Sequence, residues 1–246
     1  MKKKEYYTEE LEKSSGEKMH SLKYQKYYTS GPMILMFLVF FCLCIDPVAS
    51  QQTQEQLQLP SPLFAIVDVE TTGLNPSFNE MIDIGLILVN TDLQEQGRFY
   101  RKIHPTYPHR IHPIAKQING YDPVRWKKHN ALLEEEAVHQ LIAFLNQYEQ
   151  KPIFIAFNSW FDAGFVSSLF REYGQKFDAS FDYRVMDIPS MARACGYSAG
   201  SSNFNDSLAK MLDVEPETNN PLLHTGESGA NFNLAILQSL QKKGCF

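Results

Sequence analysis

The sequence predicts an α/β domain built on a mixed central sheet, and three observations carry that prediction. Three β-type runs, residues 63–69 (LFAIVDV), 81–89 (MIDIGLILV) and 97–104, follow one another across short turns, as in an antiparallel meander. A fourth apolar run, residues 152–157 (PIFIAF), comes only after a segment of helical period. Helical patterns then close the chain.

The first strand is a buried-type run bounded by Pro62 and Gly73. The helix predicted over residues 130–148 places Leu132, Ala137, Leu141, Phe144 and Leu145 at helical spacing, with Glu134–Glu136 near its start, where acids suit the helix dipole. Residues 162–173 form the next helix, with Phe165, Leu169 and Phe170 on its apolar side. A short helix over 205–212 and a last one over 229–243, lined by Ala230, Leu234, Leu237 and Leu240, complete the pattern. No internal repeat is present.

Composition fits a globular chain: 246 residues with 43% hydrophobic and 21% charged, which excludes collagen-like and wholly disordered classes. A net charge of −5 gives no basic stripe of the kind that reads duplex nucleic acid. A phosphate ligand must therefore be attracted locally, by metal ions or a small basic patch.

Residues 33–45 (MILMFLVFFCLCI) are the only long apolar run. At about 20 Å of helix they fall short of a ~30 Å hydrocarbon core and suit the apolar region of a cleaved signal, with Lys23 and Lys26 before it and Val48-Ala49-Ser50 after. An uncleaved anchor and a cytoplasmic chain are the alternatives. Because Met19 would give a more ordinary leader, residues 1–20 read as an extension ahead of the true start. Gln-rich residues 51–62 read as a linker, leaving 63–246 as the functional domain. Of four cysteines, Cys42 and Cys44 lie in the apolar run. Cys195 and Cys245 have no metal spacing and read as unpaired thiols, with a disulfide in an oxidising compartment as the alternative.

The chemistry-bearing residues are acids. Asp68 and Glu70 stand two apart on a strand, so their side chains share a face at the end of a buried run. Two close carboxylates in a poor dielectric repel each other unless a cation neutralises them, which points to a hard divalent metal held through oxygen; the alternative is a strand end with two solvated acids. Asp162 follows the buried run 152–157 near a helix start, where it either turns back over the sheet or caps the helix. His224 lies in a Gly-rich loop; an imidazole there either exchanges a proton with water or is simply solvated.

These pieces together resemble the DEDD superfamily of 3′–5′ exonucleases, in its DnaQ-like and RNase T-like DEDDh branch. The stretch Phe64-Ala65-Ile66-Val67-Asp68-Val69-Glu70-Thr71-Thr72-Gly73-Leu74, with Ile82-Asp83-Ile84-Gly85 on the next strand, matches the first motif. Ala156-Phe157-Asn158-Ser159-Trp160-Phe161-Asp162 matches the second, with Phe157 in place of its His. Ile111-His112-Pro113 to Asn119-Gly120-Tyr121 is similar to the family's loop and helix after the meander, and Met186-Asp187 to Ala192-Arg193 to its later strand and helix. The third motif departs from the pattern: the family's last Asp stands five residues after the His, and here that position is Gly229.

The resemblance implies an RNase H-like three-layer fold and hydrolysis of a phosphodiester at a single-stranded 3′ end, of DNA or RNA, by a two-metal site with Mg²⁺ or Mn²⁺. It assigns Asp68, Glu70 and Asp162 to the metals and His224 to the attacking water. It places the terminal nucleotide against the backbone near Thr71 and Thr72, with Leu74 as an apolar wedge and Asn158 as a buttress. A homodimer is a further implication. Gly229 implies a weak second metal and a rate loss of at least about 100-fold, roughly 2.7 kcal/mol on the barrier. The alternative is a degenerate member that binds nucleic acid or a protein without cutting. Glu227 and Asn231 flank Gly229 but lie off its helical face. Trp126 and Trp160 read as surface aromatics suited to base stacking, with core packing favoured for Trp160.

Overall fold

A computed structural model of the chain describes residues 61–198 and 203–246. The apolar run 33–45 and the linker 51–60 lie outside the described residues. The strands are β1 (Phe64–Thr71), β2 (Met81–Val89), β3 (Glu95–Lys102), β4 (Ile153–Ala156) and β5 (Val185–Asp187). The helices are α1 (Pro113–Asn119), α2 (Pro123–Lys128), α3 (Glu134–Leu145), α4 (Ser159–Glu172), α5 (Phe177–Ser180), α6 (Ile188–Ala194), α7 (Phe204–Leu212) and α8 (Gly226–Lys242). No described helix is long and apolar enough to cross a membrane.

The five strands make one mixed sheet in the order β3-β2-β1-β4-β5. The first three pair antiparallel, as the short turns predict, while β4 lies parallel to β1 and β5 parallel to β4. Alternation along β1 divides the core. Ala65, Val67 and Val69 pack with Val138, Leu141, Phe165 and Phe170 on the α3–α4 side. Phe64 and Ile66 pack with Ile188, Leu208, Ile236 and Leu237 on the α6–α8 side. This is the three-layer RNase H-like architecture.

Two helix starts differ from the sequence reading, for local reasons. The helix expected from Asp162 begins at Ser159, because Asn158 takes a left-handed turn (φ 64°) directly after β4. Asp162 therefore sits inside the first turn and is not a cap. The last helix begins at Gly226, three residues before the predicted Gly229. Thr225 and Ser228 form a capping box that offsets the low helix propensity of the glycines.

Those glycines are there for proximity. A Cβ on Gly85 of β2 would fall 2.1 Å from the Gly226 carbonyl oxygen, and one on Gly226 would fall 2.5 Å from the Gly85 nitrogen. Helix α8 thus lands backbone against backbone on the sheet. The wholly buried Asp83 of β2 fixes it there. Asp83 accepts from the Gly226 N–H at 3.1 Å and pairs with the Lys102 ammonium of β3, which also lies over the Trp126 ring.

Two aromatic assignments and one cysteine assignment are corrected. Trp126 is fully buried and donates its Nε1–H to the Ile82 carbonyl. Trp160, expected in the core, is 72% exposed. Cys195, at the end of α6, is bonded to Cys245, beyond the end of α8, with Cα atoms 5.9 Å apart.

Candidate active site

Strand β1 runs on past Ile66, its last residue paired with β4 (to Ile155), so backbone groups on that edge need other partners. Asp162 of α4 accepts from the Val69 N–H at 3.1 Å, and Asn233 of α8 donates to the Val67 carbonyl at 3.0 Å. Satisfying this bare edge draws α4 and α8 over the end of β1. The same step carries the Asp162 carboxylate to Asp68 and Glu70, which share one face of β1 as the strand period requires.

The three carboxyls repel one another. Burial raises Asp68 well above the usual carboxylate range, and the charges of Asp162, Glu217 and Glu70 add to it. Burial likewise raises Asp162 well above that range, against the N–H bonds it accepts. Glu70 rises to about 7 by burial, with His224 pulling the other way. Among the described residues no lysine or arginine pairs with any of the three.

An all-oxygen donor set with raised carboxyls and no lysine or arginine partner is the chemistry of a hard divalent ion site. The residues fit such an ion, although no three acidic, imidazole or thiol side chains among the described residues are drawn together tightly enough to hold one as they stand. Glu70 and Asp162 are at present engaged with His224 and with the Val69 N–H.

His224 joins the site from the loop before α8. Its Nε2 lies 3.2 Å from Glu70 Oε1, and its Nδ1 lies 2.9 Å from the Thr218 carbonyl oxygen. A carbonyl only accepts, so Nδ1 carries a proton and Nε2 faces the carboxylate. The Nε2–Glu70 pair therefore shares one further proton. Burial alone would lower the imidazole, but Glu70 and Glu217 outweigh it and raise His224 above its usual value.

Asn119 of α1 ties down the other side of the strand end, donating to the Thr71 carbonyl at 3.0 Å. Beside it opens a largely apolar cleft of about 570 Å³, lined by Glu70, Leu74, Phe78, Ile114, Ile118 and Phe161 among others.

The predicted nucleotide-seating residues separate here. Leu74 is 81% exposed and lines the cleft. Thr71 and Thr72 are buried, and their hydroxyls are committed to the Gly73 carbonyl and the Glu80 N–H. Asn158 is exposed at its left-handed turn, on a separate polar cleft with Arg193 and Asp206. Phe157, which replaces the second-motif His, packs against Phe204 and Phe232 in the α6–α8 core.

Gly229 lies directly over Asp68. A Cβ there would stand 2.2 Å from Asp68 Oδ2 and 2.9 Å from Asp68 Cβ. Glu227 turns away toward Arg98 of β3, 3.7 Å from Nη1, and Asn231 accepts from the same guanidinium. Sequence spacing missed Glu217, in the irregular stretch between α7 and α8. It acts electrostatically on Asp68, Glu70 and Asp162, and its Oε1 is buried 3.6 Å from His224 Nδ1.

Residues 65–236 match the RNase T family, described as Exonuclease. The chain belongs to this DEDD-type 3′–5′ exonuclease family. It is 27% identical to Ribonuclease T of Actinobacillus pleuropneumoniae over 139 residues, 52% of this chain and 62% of that protein. It is 23% identical to a PolC-type DNA polymerase III of Staphylococcus haemolyticus over 198 residues, 80% of this chain but 13% of the polymerase. The chain thus spans less than two thirds of either relative. Among solved structures, E. coli Exonuclease I in complex with a dT13 oligonucleotide shares the fold at TM-score 0.63 and 16% identity, over 73% of this chain and 41% of that one.

Proposed function

We propose that this chain is a metal-dependent 3′–5′ exonuclease acting on single-stranded 3′ ends. The observation that carries the reading is the buried Asp68–Glu70–Asp162 group, without a lysine or arginine partner among the described residues and with His224 Nε2 at its rim. Asp68, Glu70 and Asp162 would hold Mg²⁺ or Mn²⁺. When bound, these ions supply the positive charge that draws a phosphodiester to an acidic site and stabilises its attacking and leaving oxygens.

The remaining roles fall to the protein. With Glu70 engaged by a cation, His224 Nε2 is free to accept a proton from the attacking water, while the bond from Nδ1–H to the Thr218 carbonyl fixes the ring. The apolar cleft receives the terminal nucleoside, with Leu74 against its base and the backbone of Thr71 and Thr72 at its edge. Export is part of the proposal: the apolar run 33–45 and the Cys195–Cys245 bond both suit an oxidising compartment.

The test is digestion of 3′-end-labelled single-stranded DNA and RNA by the full chain, with Mn²⁺ or with EDTA. Chelator-sensitive release of mononucleotides is expected, and Asp68→Asn should reduce it at least about 1,000-fold, roughly 4 kcal/mol on the barrier. Undiminished activity in that variant would refute the site. A second reading, binding without cleavage, is favoured by the close approach of Gly229 to Asp68, where the family has a fourth acid. It predicts retention of labelled oligonucleotides with no product under any metal.

A further inference from the structure

We infer that Glu217 supplies the carboxylate that position 229 lacks, as a ligand for a divalent cation shared with Asp68; the inference rests on the metal-dependent reading above. Position 229 has no room for the family's acid. Helix α8 sits so close to β1 that even a Cβ there would strike the Asp68 carboxylate. The neighbours on the helix do not substitute, because Glu227 and Asn231 are held by Arg98 on the outer side.

Glu217 approaches from the loop instead. Its Oε1 is wholly buried and is the only buried side-chain nitrogen or oxygen among the described residues without a hydrogen-bond partner. The nearest cationic group, His224 Nδ1, is 3.6 Å away and already gives its proton to the Thr218 carbonyl. Glu217 is therefore not what orients the imidazole. A buried carboxylate oxygen with no donor is costly, and a cation is the partner that relieves it.

The position of Glu217 is held. Arg125 of α2 donates to the carbonyls of Pro221 and Leu222, and Asn220 accepts from the N–H groups of Leu222, Leu223 and His224. The loop thus arrives as a fixed piece carrying Glu217 and His224 together. The charge of Glu217 bears on all three acids of the site, raising Asp68, Glu70 and Asp162 alike. Asp206 is the other acid that acts on Glu217, and His224 and Ser228 oppose it.

The experiment titrates Mn²⁺ alone into the metal-free full chain by calorimetry, with Mn²⁺ electron paramagnetic resonance as a second readout and no nucleic acid present. Native protein, Asp68→Asn, Glu217→Gln and Glu227→Gln are compared. Asp68→Asn is expected to lose binding, Glu217→Gln to weaken it at least tenfold or remove one ion, and Glu227→Gln to match the native chain. Native-like Mn²⁺ binding by Glu217→Gln beside loss in Asp68→Asn overturns the role of Glu217 and leaves the exonuclease reading standing. Native-like binding by Asp68→Asn refutes the metal site itself. Should Glu217→Gln fail to fold by circular dichroism, Glu217→Ala is read by the same criteria.

Discussion

The two ends of the site are built in opposite ways. At the end of β1, Asp68 and Glu70 are placed by strand period alone, and the neighbouring strand supports them through the Asp68–Gly85 and Glu70–Asp83 pairings. At the start of α8, chemistry has left the regular element. The helix contributes glycines that permit close approach, and the acid and the imidazole come from the irregular stretch before it. A strand can carry a ligand only where its alternation points. A loop held at several carbonyls can deliver one from outside any period.

That contrast is most directly broken at position 229. If α8 truly lies too close for a side chain, Gly229→Asp should not repair the third motif. It should push Asp68 aside and lower kcat at least about 100-fold relative to native, roughly 2.7 kcal/mol on the barrier. Single-turnover digestion measures this, and a Gly229→Asp enzyme faster than native would mean that the helix yields and the close approach is not a constraint.

Where the two ends are joined, the expected effect is on the fold and not on the rate. Asp83 binds the first N–H of α8 and the Lys102 ammonium, both carboxylate and ammonium being almost wholly buried. Asp83→Asn leaves that ammonium without its partner and should destabilise the fold by about 3–5 kcal/mol, whereas pairing it with Lys102→Met should recover part of the loss. Denaturant unfolding of the two variants decides this. Equal stabilities would show that the buried pair does not anchor the helix.

The smallest effect is a dependence on pH. Glu70 is raised from about 4.5 to about 7, so its proton is held more tightly in the fold than in the unfolded chain. The stability this provides is complete below the unfolded value and is lost as pH rises towards 7. His224 is also raised, so its contribution is lost in the same direction, above its ordinary value near 6.5. Metal-free protein should lose on the order of 1–3 kcal/mol of unfolding free energy between pH 5 and 8, and Mn²⁺ should flatten the slope by taking the proton's place. Stability that rises with pH in the metal-free chain would contradict the crowding of carboxyls.

Much of this was legible in the sequence, for identifiable reasons. The meander, the shared face of Asp68 and Glu70, and Asp162 after the fourth strand all follow from period and chain order. Glu217 was not legible, because it stands in Glu215-Pro216-Glu217, polar residues at no fixed distance from any motif residue. Trp126 was misplaced because Arg125, Lys127 and Lys128 surround it in sequence; its burial depends on a carbonyl of β2 and a lysine of β3, contacts distant in sequence. Trp160 turns outward because Phe161 and Phe165 fill the inner face of α4 beside the buried Asp162. The Cys195–Cys245 bond joins residues 50 apart, and no spacing rule reports such a meeting.

That bond also changes what breakage of the chain means. Glu217, His224 and Gly229 all lie inside the covalent ring that it closes. A protease cutting one peptide bond anywhere in the ring makes two fragments by sequence but not two molecules. Helix α8 stays tethered to α6, and the buried contacts between α8 and the sheet have no free piece to lose. A nicked chain should therefore migrate as one species until reductant is added, and then as two. The part of the site that strays furthest from regular structure is thus the part that covalent linkage protects against a single cut.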